Sequence, residues 1–181
     1  MAKISNVSAY PNITNIDTSD YLIITDAENN LMTKTCTLGT LQNLFGLDTV
    51  IAKIALTANQ LQTIFASPVT LIPSPGAGKV LDIMSVMISF DAGNTVYDFA
   101  SGNNLLLLAG TSNQYAILAA TLNSATDSVE KLALNAAISG QINIPSGVPL
   151  TLKANSANPT QGNGLLYLNI SYRVLTVGTS F

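Results

Sequence analysis

The chain contains no histidine, a single cysteine and very little charge. Without histidine there is neither a Ser-His-Asp triad nor a zinc site of the common Cys/His kind. One cysteine, Cys36, excludes an intrachain disulfide, and in a Thr-rich strand it reads as a small buried apolar residue. Charged residues make up 9% of the 181 positions, against roughly 25% in soluble proteins generally. The net charge of −3 comes with scattered Lys and Arg that form no basic patch, which argues against nucleic acid as a partner. No apolar run approaches the ~20 residues of a membrane helix, so no membrane insertion is expected. The opening MAKISNVSAYPN lacks the apolar core of a secretory signal peptide.

Hydrophobic residues nevertheless reach 48%, and the polarity missing from charges is supplied by Asn, Thr, Ser and Gln. That profile fits a β-rich assembly whose surface is largely buried against partners, because a free monomer with so little charge is poorly guarded against association. At this length the chain suits one domain plus an extension, or two small units.

The most informative stretch is 56–90. Thr57 is placed as the N-cap of a short helix carrying Leu61, Ile64 and Phe65 at helical spacing, and Ser67-Pro68 ends it. Residues 69–72 form a short apolar strand, 73–78 a Pro/Gly turn, and 79–91 the longest strand of the first half. Its two faces, Val80/Met84/Val86/Ile88/Phe90 and Leu81/Ile83/Met87, are both largely apolar. A strand apolar on both faces is covered on both sides, here by a second sheet and by another copy of the chain.

Upstream, residues 1–20 are extended and polar, with isolated apolar side chains at Ile4, Val7, Tyr10, Ile13 and Ile16. Residues 21–26 and 31–36 form a hairpin across the polar turn 27–30. Thr37 caps a short helix with a stripe of Leu38, Leu41, Leu44 and Phe45, ended by Gly46. Downstream, strands are expected at 95–100, 104–109, 114–120, 129–134, 137–144 and 148–153, with 122–134 open to a loop or helical turn as well. The closing strand, 165–177, alternates Leu166, Leu168, Ile170, Tyr172 and Val174 against Tyr167, Asn169, Ser171 and Arg173. The fold class is therefore mainly β: an antiparallel, jelly-roll-like sandwich over 48–181, preceded by a hairpin-plus-helix attachment segment over 1–47.

Apparent chemical motifs resolve into turns. Residues 73–80 lack the first glycine and the final Ser/Thr of a phosphate loop and lead into a strand rather than a helix. Asp17, Asp20, Asp26 and Glu28 lack EF-hand spacing. Asp91 and Asp98 could pair for glycoside hydrolysis, but turn-forming Asp is the commoner reason for such residues. Asn6, Asn12 and Asn169 head glycosylation sequons that matter only on secretion. Tyr97, Tyr115, Tyr167 and Tyr172 could line a sugar groove, with core and interface packing the better expectation. No catalytic, cofactor-binding or metal-binding residue is assigned, and the chain is not expected to be an enzyme.

Two groups of residues carry a family resemblance. Lys3-Ile4-Ser5, the strand Asp20-Tyr21-Leu22-Ile23-Ile24-Thr25-Asp26 and Thr37-Leu38-Gly39-Thr40-Leu41 resemble the attachment leader of many bacteriophage fibre and appendage proteins. Leu56-Thr57, Ser67-Pro68-Val69-Thr70-Leu71-Ile72-Pro73, Gly76-Ala77-Gly78-Lys79-Val80 and Ser171-Tyr172-Arg173-Val174 are similar to small phage virion proteins of the β-sandwich kind. The resemblance implies a structural protein of the virion, assembled in the host cytoplasm: a capsid-decorating or head-fibre component, often trimeric and anchored through its N-terminus. A tail-associated appendage or a module recognising host-surface glycan, through the Tyr side chains and the loops 101–104 and 155–163, is the alternative. Expected partners are a phage capsid or tail protein, contacted through Ile4, Val7, Tyr10, Ile13 and Ile16, and further copies of the chain, contacted through Leu81, Ile83, Met87 and Tyr167.

Overall fold

The computed structural model describes residues 19–26, 32–44, 49–134 and 143–178. The chain divides into two compact units, Met1–Asp48 and Thr49–Phe181. In the first, β1 (Tyr21–Asp26) pairs antiparallel with β2 (Met32–Thr37), Tyr21 opposite Thr37. The second strand runs directly into α1 (Leu38–Leu44). Thr37 makes that junction: its hydroxyl oxygen accepts the Thr40 amide at 3.1 Å, satisfying one free donor of the first turn. Cys36 is half-buried rather than buried. Ile4, Val7, Tyr10, Ile13, Ile16 and Gly46 lie outside the described residues.

The second unit holds β3 (Val50–Leu56), α2 (Ala58–Gln62), β4 (Val69–Ile72), β5 (Lys79–Asp91), β6 (Leu105–Ala109) and β7 (Ser112–Ile117). It continues through α3 (Ala119–Leu122), β8 (Ser128–Lys131), β9 (Leu150–Ala154) and β10 (Leu165–Thr176). These strands form two four-stranded antiparallel sheets, ordered β3-β10-β5-β8 and β4-β9-β6-β7, packed as a sandwich. The order has a simple origin. The chain behaves as one long hairpin whose first strand pairs with its last: β3 with β10, β4 with β9, β5 with β8 and β6 with β7. Wrapping that hairpin adds the cross-pairs β5–β10 and β6–β9 and gives the jelly-roll order. The apex is the tight β6–β7 connection, where Gly110 adopts φ 62.

Alternation supplies the core. Leu166, Leu168 and Ile170 of β10 and Val86, Ile88 and Phe90 of β5 face Leu105 and Leu107 of β6 and Leu150 and Leu152 of β9. All are buried, each removing apolar surface worth about 1.5–3 kcal/mol from water. Thr57 and Gln60 form a reciprocal capping box, with Thr57 donating its amide to Gln60 Oε1 at 2.9 Å; α2 delivers Leu61 to the same core, and the turn that follows it delivers Ile64.

A β-bulge corrects the reading of β5 as apolar on both faces. Ser171 pairs with Ser85 but Tyr172 pairs with Ile83, so Met84 is an extra residue without a partner across β10. The bulge inverts the alternation. Leu81 and Ile83 therefore turn inward along with Val86, Ile88 and Phe90, and Met84 is left exposed. One face of β5 is core; the other carries Asp82, Ser85, Met87 and Ser89.

Other boundaries differ for local reasons. β3, which completes the first sheet, has no counterpart among the expected strands. Residues 95–100 are not a strand; the amides of Thr95 and Phe99 are engaged by side chains instead of a ladder. β7 begins at Ser112 and gives way to α3; β8 stops at Lys131; β9 is Leu150–Ala154. Most of the strand expected at 137–144 lies outside the described residues.

Candidate functional surface

The outer face of the β3-β10-β5-β8 sheet follows from register. Tyr167 lies opposite Ala55 on one side and Ser89 on the other, and Ser89 in turn opposite Val129. The next outward row is Lys53, Asn169, Met87 and Lys131. Small side chains flank the large ones, and the result is a depression of about 410 Å³ lined by Tyr167, Met87, Val129, Ala55, Ser89 and Lys53 among others. Its apolar side chains stay in solvent: Tyr167 is 42% exposed, Met87 45% and Val129 69%. Lys53 lines it, Lys131 pairs with Met87 at the β8 edge outside the lining, and Asp91, opposite Leu165, continues the outward side of β5 beyond Ser89. Towards one end of the face Arg173 Nε donates to Asp82 Oδ2 at 2.7 Å, an ion pair that neutralises both.

Of the four residues assigned to an oligomer interface, two are on this face and two are not. Met87 and Tyr167 neighbour each other across β5 and β10. Leu81, 3% exposed, and Ile83 are turned into the sandwich by the Met84 bulge and have little surface to offer. The sequence reading missed Val129 and Ala55, which reach the face only because β8 and β3 add to the β5–β10 pair.

The four tyrosines separate by environment. Tyr97 and Tyr115 are buried, their hydroxyls donating to Gly164 O at 2.8 Å and Ile83 O at 3.2 Å. Burial pushes Tyr97 up to about 12 and raises Tyr115 as well, with Asp82 adding to the latter. Tyr172 packs against the core, which leaves Tyr167 as the one of the four with an open ring face.

The Asn-rich loops act as backbone mimics. Asn163 Oδ1 accepts the amides of Asn94 and Thr95 at 3.0 and 2.8 Å, and Asn158 Oδ1 accepts that of Phe65 at 2.7 Å. Asn103, itself buried, accepts the Ser156 amide at 2.8 Å and donates to Ala157 O at 2.8 Å. Asn123 bonds both the amide and the carbonyl of Phe99. Such bonds satisfy loop amides that no strand partner reaches. Asp98 belongs to the same system: it accepts the hydroxyl and amide of Thr160 and the amide of Gln161, which hold its carboxyl below the usual carboxylate range. Asp91 accepts the Gly93 amide at 3.3 Å. Both carboxylates thus have turn-closing roles. The 73–78 segment is a turn, with Gly76 and Gly78 at φ 95 and 73, and it leads straight into β5.

Among the described residues no helix is long and apolar enough to cross a membrane. The architecture is that of a jelly-roll sandwich preceded by a hairpin and helix. No protein-family profile matches the chain, and no curated protein matches its sequence. Among solved structures it is similar to a chain described as "Cyanophage Pam1 capsid asymmetric unit", with a TM-score of 0.43 and 15% identity. The match covers 68% of this chain and 81% of that chain. A likeness at that distance carries no argument about function.

Proposed function

We propose that the protein is a non-enzymatic structural component of a bacteriophage virion, attached through residues 1–47 and displaying the jelly roll as a homotrimer on the head. The observation that carries this reading is the separate N-terminal unit. A hairpin running straight into a Thr37-capped helix is the arrangement expected of a phage attachment leader, and it leaves Tyr21 and the edge of Leu22 exposed. A chain with 9% charged residues and an uncovered apolar sheet face suits a protein that works by burial in a larger assembly. A host-glycan role would have to centre on Tyr167, since Tyr97 and Tyr115 are buried and the loop amides of Asn103, Asn158 and Asn163 bind backbone.

The test is co-sedimentation of the full chain, and of a chain lacking residues 1–20, with isolated phage heads and isolated tails. The full chain is expected to sediment with heads, and the truncated chain to remain in solution with an unchanged melting temperature. Retention of the truncated chain on heads would refute attachment through the leader, and binding to tails alone would move the protein to the tail.

A further inference from the structure

We propose that Asn163 is a self-modifying residue: in the folded protein the backbone nitrogen of Gly164 closes on the Asn163 side chain, and the position converts to aspartate and isoaspartate without an enzyme.

The sequence supplies the reactive pair. Asn163-Gly164 is the sole Asn-Gly step in the chain. Asparagine is a thermolabile residue, and a following glycine puts no Cβ beside the attacking nitrogen. Packing dictates the glycine here: a Cβ at Gly164 would stand 2.6 Å from Asp91 O and 2.8 Å from the Phe90 ring. The fold therefore requires the residue that leaves this nitrogen open.

The surroundings hold the Asn163 side chain ready for attack. Its Oδ1 accepts the amides of Asn94 and Thr95 at 3.0 and 2.8 Å, while the Asn163 amide donates to Thr95 O at 3.0 Å. Two backbone donors on one carbonyl oxygen polarise it, and they are in place to take the negative charge that grows there as the carbon is attacked. The leaving group is free: among the described residues Asn163 Nδ2 has no hydrogen-bond partner, and Asn163 is exposed. The Gly164 amide has no partner among them either, although Gly164 is buried. A buried amide without a partner is costly, and ring closure removes that donor. Other loop asparagines lack this combination. Asn103 and Asn123 engage Nδ2 with Ala157 O and Phe99 O, and Asn158 precedes Pro159, whose nitrogen carries no proton.

The step balances with water alone. The Gly164 nitrogen bonds to Asn163 Cγ and the Cγ–Nδ2 bond breaks. Water or hydroxide takes the Gly164 amide proton, and Nδ2 leaves with a proton as ammonia. A second water opens the cyclic imide at either of its two carbonyl carbons. Opening at Cγ gives aspartate, whose carboxylate accepts the same two amides and adds one negative charge to the net −3. Opening at the backbone carbon gives isoaspartate, which lengthens the backbone just where Gly164 O accepts the Tyr97 hydroxyl and β10 begins. The aged protein is thus a mixture of a native-like form and one loosened at the entry to β10.

The test is a time course of the full wild-type chain at mildly alkaline pH, folded and in urea. Charge is read by electrophoresis against Asn163→Asp, and position by peptide mapping with enzymatic methylation of isoaspartyl carboxylates. The folded chain is expected to gain one negative charge, and isoaspartate in the peptide that holds Asn163, at a rate no lower than the unfolded chain. Thr95→Pro lacks one of the two donors to Oδ1 and, when folded, is expected to convert about tenfold or more slowly. Asn94→Pro replaces it if its melting temperature shows that it does not fold, and the comparison with urea decides when neither variant folds. Slower conversion of the folded wild type than of the chain in urea would overturn the proposal, since the fold would then protect the side chain. Conversion of the folded chain centred on another asparagine, or a folded proline variant that converts at the wild-type rate, would overturn it equally.

Discussion

The hydroxyl of Tyr97 donates a 2.8 Å hydrogen bond to the carbonyl of Gly164, joining the loop after β5 to the segment that starts β10. The ring is buried and stacks at a tilt between Phe90 and Phe99, with centroids 6.3 and 5.7 Å away. Burial raises the pKa of Tyr97 from 10.0 to about 12. A folded pKa above the unfolded one means that the native state holds the proton more tightly. The associated stability is complete below pH 10 and is lost as pH rises from there through about 12. Tyr97→Phe should cost about 1 kcal/mol at neutral pH, the worth of a buried hydrogen bond. It should also flatten the alkaline limb of stability, with Tyr115 keeping part of it. Denaturant melts across the alkaline range check both; an unaltered alkaline limb would show that Tyr97 does not titrate with unfolding.

Gly162 takes φ 123, and a Cβ there would overlap the Tyr97 ring. Its carbonyl also receives Gln62 Nε2 at 2.6 Å, so the backbone is held on that side too. Gly162→Ala combines a backbone strain with a collision against a buried aromatic. A loss of about 3 kcal/mol is expected. Gly102→Ala, at φ 79 with open space around it, carries the strain without the collision and should lose less. Equal melting temperatures for the two variants would contradict the packing argument.

The sandwich was legible because β5 and β10 announce themselves: long apolar alternations bounded by turn residues, with limits close to those observed. β3 was not. Its Ala and Lys are weak strand formers, and Val50–Leu56 becomes a strand by pairing with β10, more than a hundred residues later. The opposite error arose at 95–100. Val96, Tyr97 and Phe99 look like a strand, yet the amides of Thr95 and Phe99 go to Asn163 and Asn123 side chains rather than to a ladder. The surface was half legible. Met87 and Tyr167 follow from alternation, whereas the inward turn of Leu81 and Ile83 does not, because one bulge reverses alternation and leaves no mark in composition.

Asp98 gains its hydrogen bonds only when the 155–164 loop is folded against it. The Thr160 hydroxyl is the largest cause of its lowered pKa, followed by the Thr160 amide, with burial opposing. A depressed folded pKa contributes stability above the ordinary carboxylate value, and that contribution is lost as pH falls through the folded value. Asp98→Asn should therefore be less stable than wild type at neutral pH, and the gap should narrow below about pH 4. Urea midpoints along an acid series measure it. A gap independent of pH would mean that the ionised form of Asp98 has no special role in holding the loop.

Met84 makes a structural prediction that separates a bulge from an ordinary strand residue. Deleting it leaves Ser85 followed by Ile83 across from Ser171 and Tyr172, which is regular pairing, and Leu81, Ile83 and Val86 all keep their inward places. The side chain is 53% exposed, and its sulfur accepts the Thr49 hydroxyl at 3.5 Å. Stability should change by no more than about 1 kcal/mol. Deleting Met87 is different. To keep Ile88 and Phe90 inward, Val86 must take the vacated outward position and Ser85 must enter the core, with the bulge absorbed upstream as Met84 comes opposite Ser171. That exchanges a buried valine for a buried hydroxyl and should cost about 3 kcal/mol or more. Thermal or urea unfolding of the two deletion chains decides the matter. If the Met84 deletion is the more damaging, the extra residue is not at Met84, and the inward placement of Leu81 and Ile83 loses its explanation.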